Sequence, residues 1–477
     1  MSAGKGRRSS TTNTGLQVGL SKTPIGGDSF RLLCMSADIP PPSSSGLQKA
    51  ANKVCSLVED ENLEDMKKRR NELKFINRCR GKISDSVSMS TDGMYNNPLS
   101  TGVGKTPFQP ATQVTYVAAE NETSDHQILA LATKSKLCSK HHLVNNETCV
   151  NNPNCSANLH MSDSIGNEKN LAAECFRDLK KDGIEIEFLT TDADSAAYTA
   201  AADMFASGEV DTCPEYFLDT RHLSASQRRF IKNSKSVIDM MPTHTKQGKQ
   251  NLANTFSLDC AARCQAEFST AYQCHTGDVG KLKKALAKAS NAIAYCYMGD
   301  HSKCRYSSFV CDMGQKAWIN RSKYLEKSFK IDKNQKNLKT LKTCIDYRLG
   351  PNRIEQTKFN LNTQKCEATN KAMRRSLPRD TTFTRNFSGR AHSAVHSVNC
   401  KSSAKSVEKL RQRLGCPVSE NSKIKHELES SHIKTIKSKE SKKSIVSKQR
   451  RAQRKLELFH LHRSRDIHYS KNMLLNK

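Results

Sequence analysis

Three acidic residues, Asp92, Asp192 and Glu367, are the first candidates for chemistry in this 477-residue chain. Carboxylates are the ligands that suit hard divalent cations such as Mg²⁺. Two such ions, about 3.5–4 Å apart, stabilise the attacking and leaving oxygens when a phosphodiester is hydrolysed. Three carboxylates that meet without a cation repel one another, so a real site must bind cations or show raised pKa values. The acids therefore suggest a metal-dependent nuclease.

Asp192 follows the clearest local pattern. Residues 184–188 alternate apolar side chains with glutamates, which is typical of a half-buried strand. Residues 165–182 before them have apolar side chains at helical spacing, with Gly183 as a natural stop. We therefore predict a helix, a glycine and a strand that delivers Asp192 to the edge of a sheet. Asp194 is a rival for the same role, because residues two apart on a strand point the same way.

Three earlier segments, residues 87–92, 111–118 and 127–133, also have strand patterns, and the first ends at Asp92. The predicted order is strand, strand, strand, helix, strand. It is the order of a ribonuclease-H-like sheet, in which the strands of Asp92 and Asp192 are neighbours. Beyond His222 the pattern is helical for well over a hundred residues. The predicted fold class is α/β: a ribonuclease-H-like mixed sheet interrupted by a long, mainly α-helical insertion, with disordered basic termini.

Composition favours a polyanionic partner. The chain has 77 Lys and Arg against 47 Asp and Glu, a formal charge of +30, and release of counterions from DNA or RNA is the usual source of affinity for such a protein. No stretch approaches the roughly 20 apolar residues of a membrane span, and the polar start does not resemble a signal peptide. We expect an intracellular, reduced protein without a membrane partner.

In a reducing compartment the 18 cysteines predict buried thiols or zinc ligands rather than a disulfide framework. Two clusters have spacings that suit tetrahedral zinc in a structural site. The stronger comprises Cys296, His301, Cys304 and Cys311, and the weaker comprises Cys138, His141, Cys149 and Cys155. The alternative for both is a set of small buried hydrophobic side chains.

Candidate DNA-backbone contacts lie on two predicted helices. They are Arg221, Arg228 and Arg229 on the first and Lys281, Lys283 and Lys284 on the second. Simple solvation is the alternative for the second group. The tail from residue 401 carries short basic clusters, which serve as nuclear import signals or nonspecific nucleic-acid tethers. A charged tail without a specific partner is the competing interpretation.

Three blocks resemble the acidic motifs of Mutator-like element transposases, most closely the animal branch with a Mutator-like transposase domain. They are Asp92-Gly93, Thr191-Asp192-Ala-Asp194-Ser195 and Asn362-Thr-Gln-Lys-Cys-Glu367-Ala-Thr-Asn370. The family has a Cys-x-x-His motif after the second acid, and here Asp219-Thr-Arg-His222 stands in its place, with Asp219 where the family has Cys. The likeness covers roughly residues 40–395.

The resemblance implies a nuclear DDE/D-type transposase that acts on element terminal repeats and target DNA, with a homodimer in a DNA complex as one possible assembly. Asp92 is then the ligand that bridges two Mg²⁺ or Mn²⁺ ions, Asp192 holds one ion and Glu367 the other. His222 contacts DNA or orients the metal cluster. The reaction is hydrolytic nicking at an element end, followed by attack of the freed 3′-OH on target DNA.

The predicted organisation has six parts. They are a flexible segment 1–45, a helical lead-in 46–85, the first part of the catalytic core 86–222, a helical insertion with the Cys/His cluster 223–355, the last part of the core 356–395 and a disordered basic tail 396–477. The alternative function is a transposase-derived, non-catalytic DNA-binding protein, which the lack of a recognisable DNA-binding module ahead of the core favours. Only the net charge supports a third interpretation, a structural RNA-binding protein.

Overall fold

The computed structural model of the chain describes residues 11–82, 85–98, 111–137, 155–160, 163–192, 195–379 and 381–464. The strands in these residues are β1 Ser86–Pro98, β2 Ala111–Glu120, β3 Ile128–Ser135, β4 Glu185–Thr191 and β5 Glu215–Leu218. The helices are α1 Thr11–Leu20, α2 Gly27–Ser36, α3 Ser44–Cys79, α4 Glu168–Lys181, α5 Ala196–Ala206, α6 Thr220–Asn233, α7 Lys235–Asp239, α8 Lys246–Cys274, α9 Val279–Tyr297, α10 Cys304–Ser307, α11 Trp318–Arg321, α12 Gln335–Leu349, α13 Pro351–Glu355, α14 Gln364–Met373, α15 Phe387–Asn399, α16 Ser403–Arg413, α17 Lys423–Lys443 and α18 Ile445–Ser464. Among the described residues, no helix is long and apolar enough to span a membrane.

The strands form one mixed sheet in the order β3-β2-β1-β4-β5. β1 pairs antiparallel with β2, and β2 with β3, whereas β1–β4 and β4–β5 are parallel pairs. The strands of Asp92 and Asp192 are therefore neighbours, as predicted. Gly183 separates α4 from β4 with φ of +72°, a left-handed conformation that costs glycine no steric clash, so the predicted helix stop is confirmed.

Helices cover both faces of the sheet because the strands alternate in the side on which they present apolar side chains. On one face α4 and α5 pack against the strands, with Phe176 among the buried residues. On the other face α14 and α15 cover Met94 and Val117. The long helix α3 contributes Leu73 to the first core and Met66 to the second. This two-sided core holds the sheet between helical layers.

Between β5 and α14 the described chain is helical and has an apolar core of its own. Phe256 and Phe268 of α8, Ile293 of α9 and Leu341 of α12 lie in that core. The predicted long helical stretch is thus present. Arg348 near the end of α12 donates from Nη1 to the backbone carbonyl of Thr220 at 2.7 Å, so the insertion is held at the start of α6.

The terminal segments differ from the predicted disorder. Val18 of α1 is fully buried against α3 and α16, and Leu410 of α16 is buried in the same cluster. The ammonium group of Lys22 donates hydrogen bonds to Ser393, Ser397 and Ser406 on α15 and α16 at 2.7–3.1 Å. Disorder is therefore a wrong prediction for residues 11–45 and 396–413, because a few apolar residues at helical spacing are enough to bury these helices. Residues from 419 form a separate unit, in which α17 has no buried side chain.

Candidate active site

The strand register brings Asp92 and Asp192 together. β1 and β4 run parallel with Ser90 opposite Thr190, and each acid lies two residues beyond that pair. Side chains two residues apart point to the same side of a strand, and neighbouring strands are about 4.8 Å apart. Two carboxylates that are distant in sequence therefore project side by side at the end of β4.

His222 lies between Asp192 and Glu367. Its Nε2 is 2.6 Å from Glu367 Oε1, and its Nδ1 is 3.2 Å from Asp192 Oδ2. Gln364 donates from Nε2 to the second oxygen of Glu367 at 2.9 Å, and Arg221 in turn donates to Gln364. The side chains of His222, Asp192 and Glu367 are 35%, 38% and 40% exposed, so a ligand from solvent can reach all three.

Asp219 locks the helices that carry His222 and Glu367 to each other. As the N-cap of α6, its Oδ1 accepts the backbone N–H groups of Arg221 at 2.5 Å and His222 at 3.1 Å. Its Oδ2 accepts both the backbone N–H and the hydroxyl of Thr363, each at 2.7 Å, at the start of α14. A carboxylate has about four lone-pair positions. Asp219 is fully buried and uses them all, so it has none left for a cation, although ligand atoms of Asp192, Asp219 and His222 lie within 4.8 Å of one another.

Asp92 is held from α14 as well. Asn370 donates from Nδ2 to Asp92 Oδ2 at 2.7 Å. Asn370 comes three residues after Glu367, so the two side chains share one face of the helix. The buried thiol of Cys366 donates to the Ser90 carbonyl at 3.2 Å and so anchors α14 on β1. One helix therefore supplies an acid to the site and the hydrogen-bond donor for a second acid.

The acids repel one another. Burial raises the pKa of Asp92 to about 7, and the charges of Asp192, Glu168 and Glu367 add to this effect. Burial also raises the pKa of Asp192, against the attraction of His222. Burial lowers the pKa of His222, but its hydrogen bond with Glu367 and the nearby carboxylate charges outweigh burial and raise it. A protonated His222 thus offsets part of the negative charge.

Divalent cations fit this arrangement. Asp92, Asp192 and Glu367 offer oxygen atoms on three separate elements, and oxygen ligands are those that Mg²⁺ and Mn²⁺ prefer. Burial is the largest cause of the raised pKa values of Asp92 and Asp192, and the charges of neighbouring carboxylates add to it. His222 offers a further ligand atom beside Asp192. Asp194, the rival acid, lies outside the described residues.

Some residues of the site were given no role from the sequence. Asn370 and Gln364 stand in the block that contains Glu367, and both lie on the same helix face as Glu367, at a spacing of three residues on either side. Glu168 accepts the Tyr95 hydroxyl at 2.6 Å near Asp92, and no sequence signal pointed to it. The buried clamp of Asp219 is a long-range contact that local pattern cannot reveal.

The predicted basic contacts have mixed surroundings. Lys281 pairs with Asp278 at 3.0 Å, and Lys283 pairs with Glu355, so much of the charge on that face of α9 is already compensated. Arg228 and Arg229 of α6 are exposed. Their role in DNA binding stays a prediction.

The stronger Cys/His cluster converges at the end of α9. Cys296 Sγ is 3.4 Å from His301 Nδ1 and 3.8 Å from Cys311 Sγ, and Cys311 Sγ is 3.7 Å from His301 Nδ1. Cys304 is the fourth member of this group, and the ligand atoms of all four residues lie within 4.8 Å of one another. Two ligands each about 2.3 Å from a tetrahedral zinc ion stand about 3.8 Å apart, whereas a disulfide needs about 2.0 Å. The backbone N–H of Trp318 also donates to Cys311 Sγ at 3.1 Å.

The weaker cluster is not assembled within the described part of the chain. Cys138, His141 and Cys149 lie outside the described residues, and Cys155 is half-buried. Zinc binding by these four residues stays a prediction.

The fold and this acidic site define a class of protein, an α/β protein with carboxylates gathered at the edge of a mixed sheet. The family model described as Mutator-like transposase matches residues 1–311. The chain therefore belongs to the Mutator-like transposase family. The match includes Asp92, Asp192, His222 and the stronger Cys/His cluster, but it ends before Glu367.

Comparison with solved structures finds a chain of the "Drosophila P element transposase strand transfer complex" at 11% identity and a TM-score of 0.31. The alignment covers 82% of this chain and 92% of that one. The comparison with curated proteins gives no match.

Proposed function

We propose that this chain is a metal-dependent DNA transposase that nicks DNA at an element end and joins the freed 3′-OH to target DNA. The observation that carries the proposal is that Asp192 and Glu367 meet at His222, with Asp92 beside Asp192 on the neighbouring strand. The strand order β3-β2-β1-β4-β5 supports a ribonuclease-H-like core. Membership in the transposase family supports the reaction class.

Each acid has a role that follows from its place. Asp92 lies on the strand next to that of Asp192 and accepts a hydrogen bond from Asn370 of α14, so it would be the ligand shared by both cations. Asp192 and Glu367 would each hold one of them. When bound, Mg²⁺ or Mn²⁺ would stabilise charge on the attacking and leaving oxygens. No protein nucleophile is needed.

His222 would carry a proton between Asp192 and Glu367, and Asp219 would hold it in position. Its imidazolium would offset part of the charge of Asp192 and Glu367, and His222 would have to be neutral to act as a ligand to a cation. Asp219 holds the His222 backbone and Thr363, so it keeps α6 and α14 at a constant separation. These contacts would preposition the residues of the site.

The test is nicking of supercoiled plasmid and strand transfer from a labelled duplex with a free 3′-OH, in Mg²⁺ or Mn²⁺. Asp92→Asn, Asp192→Asn and Glu367→Gln keep shape and remove charge, and we expect activity to fall by at least about 100-fold with DNA binding retained. Glu187→Gln is the matched control, because Glu187 lies on β4 but takes part in a salt bridge with Lys82 at 3.5 Å instead.

The outcomes separate the candidates. If wild type and the three site variants cut and join alike, the catalytic assignment is wrong. If none of the proteins cuts but all bind DNA, the transposase-derived, non-catalytic DNA-binding protein is the better description. Asp194→Asn, assayed in parallel, decides between Asp192 and its rival.

A structural zinc ion is proposed for Cys296, His301, Cys304 and Cys311, because their spacing suits tetrahedral ligation. Elemental analysis of the purified chain should find zinc, and Cys311→Ala should lose it. Cys344→Ala, a buried thiol outside the cluster, should keep it. A zinc-free wild-type chain would contradict the proposal.

The nucleus is the proposed compartment, because the substrate is DNA and the tail carries the basic clusters Lys439–Lys443 and Arg450–Lys455. Imaging of the tagged full chain, with and without charge-neutral replacements in both clusters, tests this. Exclusion of the wild-type protein from nuclei would refute it.

A further inference from the structure

A basic surface with few nearby carboxylates adjoins the Cys/His cluster of the helical insertion. Residues 303–342 contain eleven Lys and Arg and three Asp and Glu, a net charge of +8. Ten of the eleven are exposed, and Lys303 is half-buried. Among the described residues, Lys333 is the one member of the eleven with a carboxylate within 4.0 Å, that of Asp300. Lys358, by contrast, has a carboxylate close by, that of Glu215 at 2.6 Å.

The packing gathers these charges on one part of the molecule. The ammonium of Lys303 lies 3.6 Å from the centre of the Tyr295 ring. The Lys330 stem runs close to Gly299, so that a Cβ on this glycine would be 3.2 Å from Lys330 Cδ. The backbone N–H of Ile331 donates to the Tyr297 carbonyl at 3.0 Å. The loop that carries Lys330 and Lys333 is thereby held against the cluster at the end of α9.

Helix α12 continues the surface toward the acids. Lys336, Lys339 and Lys342 are exposed and recur every three residues, a rise of about 4.5 Å per step. Arg348, on the same helix, bonds the Thr220 carbonyl directly beside Asp219. Lys336 is twelve residues from Arg348, so the lysines lie about 9–18 Å along the helix from that anchor. This span is comparable with that of three to five base pairs at about 3.4 Å each.

We propose that this basic face, formed by Lys303, Arg305, Lys330, Lys333, Lys336, Lys339 and Lys342, binds the phosphate backbone of duplex DNA next to the bond that is cut. Tyr306, 81% exposed beside Arg305, offers a planar ring for contact with a sugar or base. The inference rests on the proposed function for the identity of the substrate, but binding needs none of the three acids. It also supplies a DNA-binding element that no sequence motif revealed.

The experiment measures affinity of the full chain for a labelled duplex against salt concentration by fluorescence anisotropy. In the triple variant Lys336→Gln, Lys339→Gln, Lys342→Gln the slope of log affinity against log salt should fall by about 2–3, since each phosphate contact contributes about 0.9. Affinity at about 100 mM salt should fall at least about tenfold. The matched control is Lys49→Gln, Lys53→Gln, Lys67→Gln, three exposed lysines of α3 with the same loss of charge.

Several results would overturn the proposal. If the α12 variant and the α3 control change the slope equally, the effect is one of net charge alone. If the α12 variant loses affinity for a single-stranded RNA of the same length but not for duplex DNA, the surface is an RNA site. The thermal midpoints of the variants should lie within a few degrees of that of wild type. The double variant Arg305→Gln, Tyr306→Ala tests the part of the basic face on α10 by the same binding measurement.

The two proposals fail in different ways. If Asp192→Asn leaves plasmid nicking unchanged while the α12 variant loses salt-dependent binding, the basic face stands and the catalytic assignment falls. If Asp192→Asn abolishes nicking while the α12 variant binds and cuts as wild type does, the catalytic assignment stands and the basic face is not a DNA-binding surface.

Discussion

Replacement of Asp92 by Asn should stabilise the protein at alkaline pH in the absence of divalent cations. The pKa of Asp92 rises from 3.8 to about 7 on folding, mainly through burial and then through the charge of Asp192. A carboxyl group with a raised folded pKa favours the folded state fully below its unfolded pKa, and that contribution is lost as pH rises toward the folded pKa. Wild type should therefore lose stability relative to Asp92→Asn between about pH 4 and pH 7 and lose no more above that.

The size of the stability difference between wild type and Asp92→Asn follows from the same two pKa values. The difference between 3.8 and about 7 corresponds to roughly 4 kcal/mol as an upper limit. Part of the side chain faces solvent, which screens the repulsion, so we expect an advantage of about 2 kcal/mol for the Asn variant at pH 8. Asn370 still finds an oxygen acceptor at position 92, and steric bulk is unchanged.

Urea unfolding of the full chain across pH 4–8, in a chelator and again in Mg²⁺, measures this. Mg²⁺ should stabilise wild type by binding the folded state and should stabilise Asp92→Asn much less. Asp60→Asn, an exposed position of α3, is the control and should show neither effect. A free-energy difference between wild type and Asp92→Asn that does not change with pH would refute the electrostatic reasoning, and equal stabilisation by Mg²⁺ would remove Asp92 from the metal site.

Three further changes test the positioning of the site. Asp219→Asn replaces an oxygen that accepts two hydrogen bonds by an amide donor, so it should cost about 2–4 kcal/mol in urea unfolding and abolish cutting; unchanged stability would contradict the clamp. Gly93→Ala places a Cβ 3.2 Å from Glu168 Oε1, so it should lower the thermal midpoint by an amount equivalent to about 1–3 kcal/mol. The control is Gly19→Ala in α1, where the space around the glycine is open and the midpoint should not fall. Equal effects of the two substitutions would refute the close approach at Gly93. His222→Gln should flatten the pH dependence of Mn²⁺ affinity measured by calorimetry. The pKa of wild-type His222 is raised, so its imidazolium must lose a proton when Mn²⁺ binds, and Mn²⁺ affinity therefore rises with pH. An unchanged slope of affinity against pH would show that His222 does not lose a proton on metal binding.

Much of the sheet was predictable because its signals are local. The alternation before Asp192 and the glycine after α4 follow from strand and helix periods, and both appear in the structure. The helical insertion was predictable for the same reason. The terminal helices were not, because α1 and α16 are rich in Ser, Thr, Lys and Gly and bury few apolar residues, so composition resembles that of a disordered segment.

Residue types and their spacing along the chain therefore established which carboxylates, thiols and imidazoles were available and which short segments would present them. Whether they meet depended on pairings between distant segments. The parallel register of β1 and β4 aligns Asp92 with Asp192, and the buried Asp219 joins α6 to α14 so that His222 reaches Glu367. Likewise, only the three-dimensional structure shows that, among the described residues, no carboxylate lies close to the lysines of α12. Such features depend on three-dimensional distance, since both hydrogen bonds and charge compensation act over a few ångströms regardless of separation in sequence.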